Sequence, residues 1–243
     1  MKKIIVFISL LVFAIPALFS QNKLTPELLW KFGRVSDMQL SPDKKTVLYG
    51  VTFYNLEENK GNRDLYIIPL AGGTPVNITN SPGSEWNGVW RPDGKKIGYI
   101  SAENGDPQLW EMNPDGTVRK QITSFEGGIN GFAYAPDMKH ILFIRDIKLD
   151  QTANEFYPDL PKADARIIDD LFYRHWDSWH DYAFSHIIVS SYSDGNVTEA
   201  LDILGTDKFD TPLTPDGGME QIAWSPDGQS IAYTCRKLHG REE

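Results

Sequence analysis

Short apolar runs alternate with turn-forming clusters along this chain, and one such phrase occurs four times. Its clearest copy is Trp224-Ser225-Pro226-Asp227-Gly228-Gln229-Ser230-Ile231-Ala232-Tyr233, and the others begin at Leu40, Trp90 and Tyr134. Each copy predicts strand, tight turn, strand. Apolar residues alternate on both sides, as in half-buried strands. Between them Pro presets φ, Asp bonds its own backbone, and Gly tolerates positive φ. Counted from the residue before each proline, the copies begin at 41, 91, 135 and 225, which gives spacings of 50, 44 and 90 residues. A period of roughly 40–50 residues with several short strands in each is the mark of propeller blades.

The pattern therefore predicts an all-β fold, an incomplete β-propeller of about three and a half blades built from four-stranded antiparallel sheets. After a short helix opened by Thr25-Pro26-Glu27, with Leu28, Leu29 and Phe32 as its apolar side and Gly33 as its stop, blade one covers 35–80. Its strands are expected at 38–40, 47–54, 65–70 and 76–78. Blade two covers 85–124, with strands at 88–90, 97–101, 108–112 and 119–122. The two blades also share an ending, Asn77-Ile78-Thr79 and Gln121-Ile122-Thr123. Blade three covers 129–206 and carries an insertion over 146–186, where clean alternation stops; roughly 40 inserted residues are a length that signals function. Blade four, 219–243, offers strands at 222–224 and 231–233 only. Three and a half blades leave an open edge, so the expectation is a fragment or a chain closed by another.

The insertion holds the densest group of chemically useful side chains. In Ile167-Ile168-Asp169-Asp170-Leu171-Phe172-Tyr173-Arg174-His175-Trp176-Asp177-Ser178-Trp179-His180, the residues Ile167, Ile168, Leu171, Phe172 and His175 share a helical face, so a helix reaching about Arg174 is expected. Arg174, His175, Trp176, Asp177 and Trp179 are the candidate substrate-binding residues, an aromatic wall with a charged handle that suits a peptide or a sugar. The plainer reading is that one or both tryptophans pack the insertion onto its blade. Asp169 and Asp170 point about 100° apart on a helix and do not form an acid–base pair. His175, Asp177 and His180 lack the spacing of a His-Glu-x-x-His metal site, and the Asp-bearing turns lack the alternating oxygen ligands of a calcium loop. No metal and no cofactor are expected.

Composition narrows the function further. The 243 residues carry a formal net charge of −9 with no basic stripe, which argues against nucleic-acid binding. One cysteine, Cys235, excludes an internal disulfide and reads as a buried thiol. Residues 1–20, with Lys2, Lys3 and an apolar run broken at Pro16, read as a secretory signal peptide rather than a membrane span, so an exported or periplasmic chain is expected. Two Asn-x-Thr sequons, at Asn77 and Asn196, carry little weight. No Gly-x-Ser-x-Gly elbow, phosphate-cradling glycine loop or readable Ser-His-Asp triad is present, so no catalytic residue is assigned.

The order of these features resembles one known family. Leu24-Thr25-Pro26-Glu27-Leu28-Leu29, the Pro-Asp turns, and Tyr173-Arg174-His175-Trp176-Asp177-x-Trp179 together look like the N-terminal propeller part of a prolyl oligopeptidase family serine peptidase, in its dipeptidyl peptidase V and acylaminoacyl-peptidase-like branch. The resemblance covers residues 24–237; the Pro-Asp-Gly turn is shared with Tol-system propellers, and the insertion motif is the more specific part. It implies a propeller of about seven or eight blades over a C-terminal α/β-hydrolase domain that holds the serine, aspartate and histidine. It implies short peptides as substrates and a propeller that gates and selects them, with the segment near Arg174 to Trp179 facing the cavity. The chain alone is then expected to be inactive, with the hydrolase domain as its missing partner. The alternative is a non-catalytic periplasmic protein-binding propeller resembling the Tol-system component, and a histidine-held metal lyase is a third.

Overall fold

A computed structural model of the chain describes residues 24–168, 174–179 and 182–237. The expected signal peptide over 1–20, Asp169, Asp170 and His180 lie outside the described residues. Helix α1 (Pro26–Lys31) starts as expected, with Thr25 as N-cap accepting from the Leu28 amide and Pro at the first turn. It stops at Phe32, which is extended (φ −72°, ψ 133°), and not through a left-handed Gly33. Gly33 serves close approach instead, since a Cβ there would sit 2.5 Å from Val51 Cγ1. The apolar side of α1 is exposed at Leu28, Leu29 and Phe32.

Strands β1 (Arg34–Leu40), β2 (Thr46–Asn55), β3 (Lys60–Pro69) and β4 (Val76–Asn77) form the first four-stranded antiparallel sheet in sequence order. Strands β5 (Glu85–Trp90), β6 (Ile97–Ser101), β7 (Gln108–Met112) and β8 (Lys120–Gln121) repeat it. The third sheet takes β9 (Gly131–Tyr134) and β10 (His140–Lys148), then the excursion with helix α2 (Ala153–Phe156) and strands β11 (Arg174–His175) and β12 (Ser178–Trp179), then β13 (Ala183–Ser193) and β14 (Asn196–Asp202). Strands β15 (Ile222–Trp224) and β16 (Ile231–Tyr233) pair as a final hairpin.

The four Pro-Asp turns are built alike, which is why the phrase recurs. The Asp carboxylate accepts the amide two residues on in each: Asp43 from Lys45 (3.1 Å), Asp93 from Lys95 (3.0 Å), Asp137 from Lys139 (2.9 Å) and Asp227 from Gln229 (3.1 Å). The residue after each Asp is left-handed, with φ from 57° to 70° at Lys44, Gly94, Met138 and Gly228. The shared Ile-Thr ending has an equally specific cause. Thr79 and Thr123 hydroxyls accept the amides of Leu65 and Leu109 and donate to Asp64 and Gln108, so a side chain takes over where backbone pairing runs out.

The cores lie between successive sheets. Leu48, Leu65 and Ile78 meet Trp90, Ile97, Tyr99 and Met112; Ile100 and Leu109 meet Phe132, Ile141, Phe143 and Tyr192; Leu142, Ile144 and Ile187 meet Phe209 and Ile222. Close approach is written into the glycines here, since a Cβ on Gly88 would lie 2.9 Å from Leu65 and one on Gly98 2.4 Å from the Tyr134 hydroxyl. The leading strands are stitched together as well. The Trp90 amide donates to Gln39 Oε1 (2.6 Å), Asn87 Nδ2 to the Phe132 carbonyl (3.3 Å), and Trp224 Nε1 to the Ala133 carbonyl (3.2 Å), linking β1, β5, β9 and β15. Cys235 is half-buried beside the last core, less enclosed than its expected place as a buried thiol.

One turn departs from the pattern. Arg91 stands where the other copies have Ser41, Ala135 and Ser225. It is buried, clasps Asp93 (2.9 Å), and reaches Tyr192 Oη (3.2 Å) and Asp194 (2.8 Å) in the third sheet. Buried Glu111 completes the network by accepting from Tyr134 Oη (2.7 Å) and Tyr192 Oη (2.5 Å). Burial first, then the Glu111 charge, push the Tyr134 hydroxyl well above its ordinary pKa. Removing the arginine leaves Glu111 buried without its nearest cation, which stands 3.7 Å away. Arg91→Ala is expected to cost about 3 kcal/mol, read from the urea midpoint. Arg91→Ser, which restores the turn but not the reach, is expected to lose nearly as much.

Glu85 opens the second sheet in a buried position, bonded to Ser81 through Oε1 while Oε2 has no partner. Desolvation holds its carboxyl above the ordinary range despite the hydrogen bond from Ser81. A carboxyl whose folded pKa lies above its unfolded value stabilises fully below the unfolded value and loses that contribution as pH rises through the folded one. The melting temperature of Glu85→Gln relative to the parent is therefore expected to be higher at pH 8 than at pH 4.

Candidate functional site

The excursion from the third sheet begins later and ends earlier than the sequence pattern implies. Strands β10 and β13 pair without interruption from His140 with Ser191 to Lys148 with Ala183. Alternation is invisible there because consecutive residues of β13, Phe184 to Ile188, are buried on both faces. Their polar members are satisfied: the Ser185 hydroxyl donates to Asp146 (2.8 Å), and His186 lies between Asp202 Oδ2 (2.8 Å) and the Asp207 carbonyl (3.0 Å). Ser185 and His186 are neighbours on a strand and so face opposite sides of the sheet, which leaves no triad in this Ser, His and Asp group.

The base of the excursion is pinned by several contacts. The amides of Leu149 and Asp150 both donate to the Tyr182 carbonyl at 3.0 Å, and Lys208 Nζ donates to Asp150 (2.6 Å). Thr152 and Glu155 form a capping box that starts α2. The Glu155 carboxyl is drawn down to about 2, first by its bond from Lys148, then by the Thr152 backbone amide.

Most of the expected helix up to Arg174, residues 169–173, lies outside the described residues. Residues 161–168 are a turn followed by chain without regular structure, and Arg174 opens a hairpin. Its strands β11 and β12 pair Arg174 with Trp179 and His175 with Ser178. The pairing puts two candidate residues, Arg174 and Trp179, directly opposite one another. Arg174 Cζ lies 5.2 Å from the Trp179 ring centroid. Arg166, which the sequence pattern did not single out, reaches the same ring, with Cζ at 4.9 Å. No spacing rule points to Arg166, because it meets Trp179 only after the chain doubles back.

Trp176 and Asp177 form the hairpin tip, both exposed. Trp176 is 84% exposed and left-handed (φ 48°), with its ring tilted over His175 at 4.8 Å. The first residue of a two-residue hairpin loop often needs positive φ, and glycine or asparagine takes it without strain. Trp179 is also exposed at 39%, so neither indole is packed away against the blade. The hairpin thus presents an aromatic tip, a carboxylate and, at its base, two guanidinium groups over one indole. Among the described residues no group of three His, Cys, Asp or Glu side chains could hold a metal ion.

Comparison with known proteins places this geometry in context. The TolB beta propeller domain model (PD40) matches residues 33–228. The chain is 45% identical over 217 residues to a dipeptidyl-peptidase 5 of Porphyromonas gingivalis, across 89% of the chain and 32% of that protein. It is 36% identical to a dipeptidyl-peptidase 5 of Porphyromonas endodontalis, across 91% and 32% respectively. It thus spans 32% of the length of each of these two relatives. An acylaminoacyl peptidase of Pyrococcus horikoshii superposes with a TM-score of 0.53 at 20% identity, over 72% of this chain and 25% of that one, a likeness of fold alone. No helix among the described residues is long and apolar enough to cross a membrane.

A bulky residue in a left-handed turn costs about 1–2 kcal/mol relative to glycine. Trp176→Gly is accordingly expected to leave the melting temperature unchanged or to raise it. A fall of several degrees would show instead that the indole is part of the packing.

Proposed function

Since this chain belongs to the TolB β-propeller family, we propose that it is the propeller portion of an exported serine peptidase of the dipeptidyl or acylaminoacyl type. In this reading the propeller gates and selects short peptides for an α/β-hydrolase domain carried by the rest of a longer protein. The single observation that carries it is the hairpin tip, where Trp176 stands exposed in a conformation that disfavours it. Strained residues kept at a surface tip are placed for binding rather than for stability. Arg174, His175, Trp176, Asp177 and Trp179 are the substrate-facing group of this proposal.

Two further features support it. Two relatives that match about nine tenths of this chain carry the name dipeptidyl-peptidase 5, and each is about three times its length. The first sheet leaves Val35, Met38, Leu40 and Phe53 exposed, an apolar surface of the kind that successive sheets cover elsewhere in the chain. Further blades supply that cover in the proposed whole. Export rests on the N-terminal sequence pattern, with Lys2 and Lys3 ahead of an apolar run.

The test begins with the coding sequence beyond codon 243, which is expected to continue in frame through further blades to a Gly-x-Ser-x-Gly elbow. A fluorophosphonate probe should label that longer protein and leave the 243-residue chain unlabelled. Trp176→Gly in the longer protein is expected to raise KM for dipeptide-releasing substrates about tenfold, the loss of one aromatic contact worth about 1.4 kcal/mol. An unchanged KM would remove the hairpin from the substrate path.

A further inference from the structure

His186 in β13 is fully buried, and both nitrogens of its ring meet acceptors. Nδ1 faces Asp202 Oδ2 on β14 at 2.8 Å, and Nε2 faces the Asp207 carbonyl at 3.0 Å in the turn that follows. A backbone carbonyl and an ionised carboxylate can only accept. Asp202 is already committed as an acceptor, since its Oδ1 takes the amides of Leu204 (2.9 Å) and Gly205 (3.1 Å). A neutral imidazole has a hydrogen on one nitrogen alone, so it would serve one partner and turn a lone pair on the other. The imidazolium cation donates to both. The cross-strand partner of His186 on β10 is a second cation, Arg145. Its guanidinium is engaged with the carbonyls of Glu126 (2.8 Å) and Gly128 (3.3 Å) and lies over the Phe125 ring at 4.4 Å. Like charges opposite one another on a sheet repel, so Asp202 is the group that favours a charged ring here. The loops that supply these carbonyls carry two further acidic side chains, Asp207 and Glu126.

We propose that His186 is built into the fold as an imidazolium cation and acts as a pH-sensitive pin, fastening the turn after β14 in acid and releasing it in base. Asp202 caps that turn through Leu204 and Gly205, the Asp207 amide returns to the Leu204 carbonyl (3.2 Å), and Leu204 and Phe209 enter the third core. Between Asp207 and Phe209, Lys208 crosses to Asp150 (2.6 Å) at the base of the excursion. One buried ring thus holds the turn from which the tie to the hairpin-bearing segment departs. The sign of the dependence follows from counting protons. The paired contact exists only for the charged ring, so the closed turn holds the proton more firmly than the opened one. Its contribution is complete in acid and is lost as pH rises. Loss of the proton removes one of the two donors and leaves a buried acceptor facing a lone pair. This pin does not depend on what the hairpin binds.

Long-range proton–nitrogen NMR of the histidine rings tests the charge directly. At about pH 7 an ordinary histidine, with a pKa of about 6.5, is mostly neutral, whereas both ring nitrogens of His186 are expected to carry hydrogen. A bare nitrogen on that ring in the folded chain would overturn the proposal. The signal is assigned by its loss in His186→Gln or, if that variant does not fold, by its shift in Asp202→Asn. Hydrogen exchange then reads the turn. The amides of Leu204, Gly205 and Asp207, corrected for intrinsic rates, are expected to lose at least about tenfold protection between about pH 6 and about pH 9, the worth of one charge-assisted contact, while those of β6 stay level. Asp202→Asn keeps an acceptor for Leu204 and Gly205 but removes the anion, at a side chain that is only partly buried. It is expected to leave His186 with one bare nitrogen at about pH 7 and to flatten the pH response of the turn. Protection of the turn that does not change with pH, or a fall shared equally by β6, would overturn the pin.

Discussion

Each sheet in this molecule is held by its neighbours, and mutual covering of apolar sheet faces is the constraint on which the rest depends. A sheet with an apolar face must bury that face against another layer. Leu48 and Leu65 acquire a core only because Trp90, Ile97 and Met112 of the next sheet lie over them. Ile100 and Leu109 depend in the same way on Phe132 and Phe143, and Ile144 and Ile187 on Ile222. The repeating turn phrase follows from this need, because faces can be stacked at constant separation only if every sheet turns in the same place. Left-handed residues at Lys44 and Met138, where glycine would sit more easily, show that the turn shape is imposed even where the residue resists it.

Apolar stacking alone does not fix how one sheet sits on the next, since oily faces tolerate sliding. Polar contacts between sheets supply the missing definition. The bonds from the Trp90 amide to Gln39, from Asn87 to the Phe132 carbonyl, and from Trp224 to the Ala133 carbonyl index each leading strand against its neighbour. Between the second and third sheets the Arg91 network adds a directional tie, with Glu111, Tyr134 and Tyr192 sharing its hydrogen bonds inside the interface. Such a network specifies one arrangement because any displacement strands a buried charge.

Much of the fold was legible from the chain because its repeats act locally. The Ser-Pro-Asp-Gly turn at Ser225 to Gly228 encodes its own hydrogen bonds, and the strands expected at 222–224 and 231–233 are those that form. The shared Asn77-Ile78-Thr79 and Gln121-Ile122-Thr123 endings were visible as a repeat, but their cause is three-dimensional, threonine hydroxyls standing in for strand partners. Legibility failed where burial is two-sided or contacts are distant. Ser185 and His186 broke the alternation because their partners, Asp146, Asp202 and the Asp207 carbonyl, lie on other segments. At the described end of the expected helix, Arg174 pairs with Trp179 across a hairpin, a partnership that helical periodicity cannot register. Arg166 meets the Trp179 ring from outside the hairpin, a contact that no spacing rule registers.

The unbroken pairing of β10 with β13 through Lys148 and Ala183 has a further consequence. The excursion leaves and re-enters the sheet at two adjacent, firmly zipped points, so the wheel senses only the distance between those points and not what hangs from them. Doubling the length of a loop so anchored adds only about 0.6 kcal/mol of closure entropy. The segment bearing Arg166, Arg174 and the two indoles is therefore free to lengthen, shorten or change its chemistry over evolutionary time while the sheets stay as they are. A lineage could retune what the hairpin recognises without renegotiating the fold that carries it.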